Sequence, residues 1–283
     1  MRNHIKGLIP APVISAARNL MYRLQGTIDL LSGRRDPLMP PVGLMNDGPQ
    51  DYETFKKNGQ DFLKYYIDLC DLQPDAAILD VGCGMGRKTI PLLAYLNDSG
   101  RYEGLDINRD GINWCNKGIG RKRDNFHFQL IDVFNEKYNP SGQGKAYDYR
   151  FPFDDGSFDL VVLGSVFTHM LKNDMENYLS EVARVLRQGG KCLITYFLVN
   201  EESTRLMSEQ RTSLNFKYEM EDGCHSVDTE VPEQAIAFDE SYIRRLYQRD
   251  GLSMETPIYW GEWCERDQSL LSEYQDIIVA RKL

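Results

Sequence analysis

Asp80, Gly82, Gly84 and Gly86 stand at alternate positions after the apolar pair Ile78-Leu79, a spacing suited to holding a small polar ligand. Glycine is needed where backbone turns with positive φ or lies against a ligand with no Cβ in the way. A helix opening within Arg87 to Leu93 would add unpaired N–H groups. The dinucleotide fingerprint G-x-G-x-x-G fails, because the sixth position from Gly82 is Arg87. Asp106 follows 26 residues after Asp80, where a carboxylate can accept two ribose hydroxyls, and Asp132 closes the next apolar run. His169 adds an imidazole able to take a proton near neutral pH. His4, His127 and His225 are weaker candidates: the first is in the N-terminal stretch, the second in a strand, the third in an acidic loop.

Those residues need a scaffold that brings strand ends together. Ile78 to Val81, Tyr102 to Ile107, Asn125 to Asp132 and Ser157 to Leu163 read as strands, with a helix over Gly111 to Lys117. Met175, Tyr178, Leu179, Val182 and Leu186 fall at helical spacing, and Gly189-Gly190 should stop that helix before a fifth strand over Lys191 to Phe197. A helix over Asp239 to Gln248 precedes two more strands, Leu252 to Tyr259 and Tyr274 to Arg281, with Trp260 and Trp263 packing in the turn. Repeated β-α units gather ligands at the carboxyl ends of their strands.

The G-x-G-x-G loop behind Asp80 resembles motif I of the class I S-adenosylmethionine-dependent methyltransferases. The segment Phe151-Pro152-Phe153-Asp154-Asp155-Gly156-Ser157-Phe158-Asp159-Leu160-Val161 resembles one common in the type 11 branch of that family, and the likeness spans about residues 55 to 200. It implies an α/β fold: a seven-stranded, mostly parallel, Rossmann-like sheet flanked by helices and ending in an antiparallel hairpin. Residues 1–50 would form an N-terminal helical arm and 51–283 the methyltransferase domain, with an insert at 133–150 and a small cap at 201–240. The resemblance gives the methionine end of S-adenosyl-L-methionine to Asp80, Gly82, Cys83, Gly84 and Gly86. Asp106 with Ile107 would hold the ribose, Asp132 with Val133 the adenine, and Gly164 would complete the cofactor site. Substrate would meet Ser165, Thr168, His169 and Tyr196, with Tyr138 and Tyr149 from the insert and Met207, Leu214, Phe216 and Tyr218 from the cap as pocket walls. The insert tyrosines, Tyr147 included, equally suit a surface hairpin that shields the sheet.

Methyl transfer from a sulfonium is an in-line displacement, so the protein mainly aligns three atoms and excludes water. A base is needed only where the nucleophile holds a proton it does not readily lose, as an alcohol or phenol does. His169 would then be the base for a hydroxyl on a small or sugar-like, glycan-type molecule; capping a helix or bonding the cofactor are its other roles. N- or S-methylation, or a cofactor-binding regulatory subunit without catalysis, stay open.

The net charge of −9 over 283 residues is unevenly spread. Residues 201–240 carry a net −8, which repels a polyanion and argues against nucleic acid as acceptor. Residues 1–35 carry six bases against Asp29, a net +5, among many apolar residues. They suit either a helix on an anionic membrane surface or one packed on the domain or a partner subunit. Pro37, Pro40 and Pro41 then separate this arm from the core. The six cysteines show no C-x-x-C spacing, so no metal is expected and the thiols should be reduced, as in the cytoplasm. No apolar run reaches the roughly 18 residues that cross a bilayer.

Overall fold

A computed structural model describes residues 11–45, 48, 50–266, 271 and 273–283. His4 and the apolar residues before position 11 lie outside them.

The strands are β1 (Ala77–Val81), β2 (Arg101–Asp106), β3 (Phe126–Leu130), β4 (Phe158–Leu163), β5 (Leu186–Tyr196), β6 (Leu198–Val199), β7 (Tyr218–Glu221), β8 (Cys224–Ser226), β9 (Ile236–Asp239), β10 (Leu252–Met254) and β11 (Asp276–Lys282). The helices are α1 (Ala11–Leu31), α2 (Tyr52–Asp68), α3 (Leu92–Tyr95), α4 (Arg109–Gly118), α5 (Lys172–Val185), α6 (Glu201–Ser208) and α7 (Glu240–Arg249).

Seven strands form one sheet in the order β10-β11-β5-β4-β1-β2-β3, parallel except for β11, which runs antiparallel to both its neighbours. This is the class I methyltransferase arrangement, as expected. The central strands β1 and β4 are nearly continuous apolar runs because helices cover both faces. Register lines up the chemistry: Asp80 sits between Gly104 of β2 and Val162 of β4, and Asp106 lies beside Leu130 at the end of β3. The outcome is a row of strand ends along one edge.

Local expectations shift at several boundaries. The helix expected from Arg87 is a run of turns, and α3 starts only at Leu92. Pro91 lacks an N–H, and the β-branched Thr89 and Ile90 lose side-chain freedom in a helix, so short-range bonds such as Leu92 N–H to Thr89 O replace the first helical turn. Helix α5 ends at Val185, ahead of Gly189-Gly190, because Leu186 already pairs with Phe158 in the sheet. Strand β10 stops at Met254, and Tyr259 adds only an isolated bridge to Ile277. Trp263 is fully buried, its indole donating to Asp276 Oδ2 at 2.9 Å, while Trp260 packs against the core.

The cap is a four-stranded sheet, β6-β9-β8-β7, with α6 beside it. Phe216, Leu206, Phe197 and Trp263 form its own small core, against which Met207 and Leu214 pack. Met207, Leu214 and Phe216 therefore pack in this core and Tyr218 lies on β7; none of the four lines the cavity that opens along the strand ends. His225 lies on β8 and pairs with Asp239 Oδ1 at 2.8 Å, so it is a strand residue with a partner.

Helix α2 buries Phe55, Gly59, Phe62 and Tyr66 on one face, and Asp51 caps it by accepting from Thr54 N–H at 2.8 Å. A Cβ at Gly59 would collide with the Arg87 carbonyl. Glycine thus lets α2 rest directly on the loop after β1.

Candidate functional site

A cavity of about 850 Å³ opens along the strand ends. Its floor is the glycine loop after β1. Gly82, Gly84 and Gly86 take φ of +83°, +55° and +81°, a left-handed backbone that other residues adopt only with strain. Asp106 locks this loop in place: Gly84 N–H donates to its Oδ2 and Asn108 N–H to its Oδ1, each at 2.6 Å. Ile107, Ile131 and Val133 add apolar wall beside Asp106, and Gly164 and Ser165 supply the wall after β4.

Polar groups concentrate near the loop. Asp80 is almost fully buried; burial raises its pKa, against the pull of Lys88. Its Oδ2 accepts from Tyr102 at 2.8 Å, while its buried Oδ1 has no partner among the described residues, as is also true of Asn58 Oδ1 in the cavity wall. Lys88 is buried, donates to Gly164 O at 2.9 Å and lies over the Phe62 ring. Glu273, whose pKa is raised by burial and lowered by Lys88 and Arg87, completes this end. Unmet acceptors beside buried cations suit a ligand end carrying both an ammonium and a carboxylate. That is the pattern a methionine moiety presents.

His169 lies in a short 3₁₀ turn, Phe167–His169, after β4. Its Nδ1 is 2.9 Å from the Glu233 carbonyl, which can only accept, so Nδ1 carries the proton. Nε2 then keeps its lone pair and faces the Tyr138 hydroxyl at 3.4 Å. Burial pulls the imidazole pKa down from 6.5 to about 4, so the ring is neutral at physiological pH. Glu233 ties three segments together: Asn135 Nδ2 donates to its Oε1 at 3.0 Å and to His169 O at 3.0 Å, and Glu136 N–H donates to its Oε2 at 2.5 Å. On the far side, Gln275 Oε1 accepts from Ser165 Oγ at 3.1 Å and from Thr195 Oγ1 at 2.5 Å.

Of the residues expected at the site, the cavity brings together Gly82, Cys83, Gly84, Asp106, Ile107, Val133, Tyr138, Gly164, Ser165 and His169. Asp80, on β1, and Gly86, within the loop, do not line the cavity. Tyr196 is fully buried with its hydroxyl 2.9 Å from that of Tyr247, because side chains alternate along β5 and it is the buried Thr195 that meets Ser165 and Gln275. Thr168 is likewise buried, within 3.5 Å of Gln275 Nε2. Tyr149 packs behind Tyr178 against Phe151, and Asp132 is exposed outside the cavity, its carbonyl taken by Gly144 N–H at 2.8 Å. The insert thus serves both readings: Tyr138 lines the cavity and Tyr147 is a surface residue. Glu233, Asn135, Lys88, Asp174, Glu273 and Gln275 were missed, since no local spacing marks a side chain that a distant segment delivers. Among the described residues no cluster of His, Cys, Asp and Glu could hold a metal.

A family profile described as a methyltransferase domain matches residues 72–251. The demethylmenaquinone methyltransferase of Bacillus cereus is 28% identical over 157 residues, 56% of this chain and 58% of that protein. The fatty-acid O-methyltransferase of Mycolicibacterium smegmatis is 38% identical over 119 residues, 42% of this chain and 36% of that protein. The chain thus spans little more than half the length of the first relative and about a third of the second. Among solved structures, magnesium protoporphyrin IX methyltransferase from Synechocystis PCC 6803 with bound SAH superposes with a TM-score of 0.52 at 14% identity, covering 94% of this chain and all of that one. A Pyrococcus horikoshii OT3 protein superposes at 0.54 with 16% identity, covering 88% and 97%. These two carry the fold.

Proposed function

The chain belongs to the class I S-adenosylmethionine-dependent methyltransferases, and from that premise we propose that it methylates a hydroxyl of a small or sugar-like molecule, with His169 Nε2 as general base. The observation that supports this reading is the tautomer: the Glu233 carbonyl occupies Nδ1–H, leaving one lone pair directed at the cavity. S-adenosylmethionine supplies the electrophilic methyl group. Asp106 and Ile107 take the ribose, Val133 the adenine edge, and the glycine loop with Asp80 and Lys88 the methionine end. Asp132, though exposed, stays a candidate for the outer adenine edge. Ser165, held by Gln275, orients the acceptor, and Tyr138, hydrogen-bonded to Nε2, occupies the place an acceptor hydroxyl would take.

We place the enzyme in the cytoplasm, consistent with six free, buried cysteines. The acidic cap argues against nucleic acid as substrate. No helix among the described residues is long and apolar enough to cross a membrane.

A panel of hydroxy compounds, carboxylates, amines and thiols with labelled S-adenosylmethionine tests the reading. Hydroxyl acceptors should turn over, and His169→Ala at saturating cofactor should reduce their kcat by roughly 10²–10⁴-fold. Unchanged turnover removes the base role. A carboxylate, which has no proton to give up, is the competing acceptor suggested by the fatty-acid relative, and its methylation would not depend on His169.

A further inference from the structure

The arm carries an apolar face that the described residues leave uncovered. Leu20, Met21, Leu24, Ile28 and Leu31 of α1 are each between 53% and 83% exposed. At ~100° of turn per residue they fall within one stripe on the helix. Single exposed apolar residues are ordinary, but a contiguous stripe marks an interaction surface.

The opposite face is already occupied. A Cβ at Gly26 would meet Pro41 at 2.6 Å, and Tyr22 lies against Gly43. Asp29 is buried, its Oδ2 accepting from Tyr52 at 2.9 Å, and Arg35 donates to Gly26 O at 3.1 Å. The helix is therefore pinned on one side, and its other side cannot turn inward. Asp29 is also the only acid among residues 1–35, so the arm's single negative charge sits on the pinned face.

We propose that the outer face of α1 docks on a bilayer surface bearing anionic headgroups. The arm is net +5, whereas residues 36–283 are net −14, so an anionic surface attracts the arm and repels the body. That orients the molecule helix-down. A second copy of the chain fits less well. Twelve residues at ~1.5 Å rise and a helix ~10 Å wide give a projected footprint on the order of 200 Å², well below the ~800 Å² per partner of a stable interface. This inference stands apart from the choice of acceptor.

Co-sedimentation of the full chain with vesicles decides it. The protein should pellet with mixed phosphatidylglycerol and phosphatidylcholine, stay in solution with phosphatidylcholine alone, and be released by salt. Leu24→Glu and Ile28→Glu should each weaken binding roughly tenfold or more. Both side chains are exposed, so the thermal midpoint and S-adenosylhomocysteine affinity should not move. Absence of binding to anionic vesicles overturns the proposal, as does equal binding to phosphatidylcholine alone. Self-association abolished by the same two variants assigns the face to a second copy.

Discussion

His169 shows how burial and one hydrogen bond decide what a side chain can do. Its pKa falls from 6.5 to about 4 on folding, so the unfolded chain binds more protons between those values. The group therefore contributes stability that is present above 6.5 and lost as pH falls toward about 4. Chemical denaturation of wild type should show that loss on acidification, and His169→Ala should flatten it over the same window. The acid limb of a kcat profile should likewise lie nearer 4 than 6.5 if Nε2 is the base. Glu233 is the second residue to test. Glu233→Ala leaves Asn135 Nδ2 and Glu136 N–H without a carboxylate, which should cost about 1–3 kcal/mol in urea unfolding. The sequence made His169 and Asp106 legible because Asp106 ends β2 and His169 comes soon after β4, at the strand ends where this fold collects ligands. It could not make Glu233 legible: that residue reaches the imidazole from 64 positions away, through its backbone carbonyl.

Between elements, the closest fit is α2 on the glycine loop. Alanine normally stabilises a helix interior by up to ~1 kcal/mol over glycine. At Gly59 the sign should reverse, because the added Cβ meets the Arg87 backbone, and overpacking costs about 1–3 kcal/mol. Gly59→Ala should lower the melting temperature and, by shifting the loop, weaken S-adenosylhomocysteine binding measured by calorimetry. The central strands and the acids Asp80 and Asp106 were readable from apolar runs and their spacing, whereas the sheet came from the family resemblance and Asp132 falls past the end of β3. Element boundaries were less so: α3 begins late because Pro91 interrupts, and β5 begins early because Leu186 finds Phe158, a partner 28 residues away. The insert and cap were visible as lengths of chain, but which of their side chains face the cavity depends on tertiary docking.

Across the whole molecule, cofactor binding and folding should be coupled, since the ligand completes acceptors the fold leaves unmet. Saturating S-adenosylhomocysteine at about a hundred times its Kd should add roughly 2.7 kcal/mol of stability. A thermal-shift assay should register this in wild type and lose most of it in Asp106→Ala, where both the proposed ribose acceptor and the Gly84 and Asn108 ties are gone. The Glu233 junction has a broader consequence. Part of the cavity wall around His169 comes from Asn135 and Tyr138 of the insert and Glu233 of the second sheet's segment, clasped to each other and to the His169 turn through Asn135 and Glu233. Exchanging residues 134–150 and 201–240 together, with that clasp preserved, should therefore change which acceptor is methylated while S-adenosylhomocysteine affinity, measured by calorimetry, stays the same.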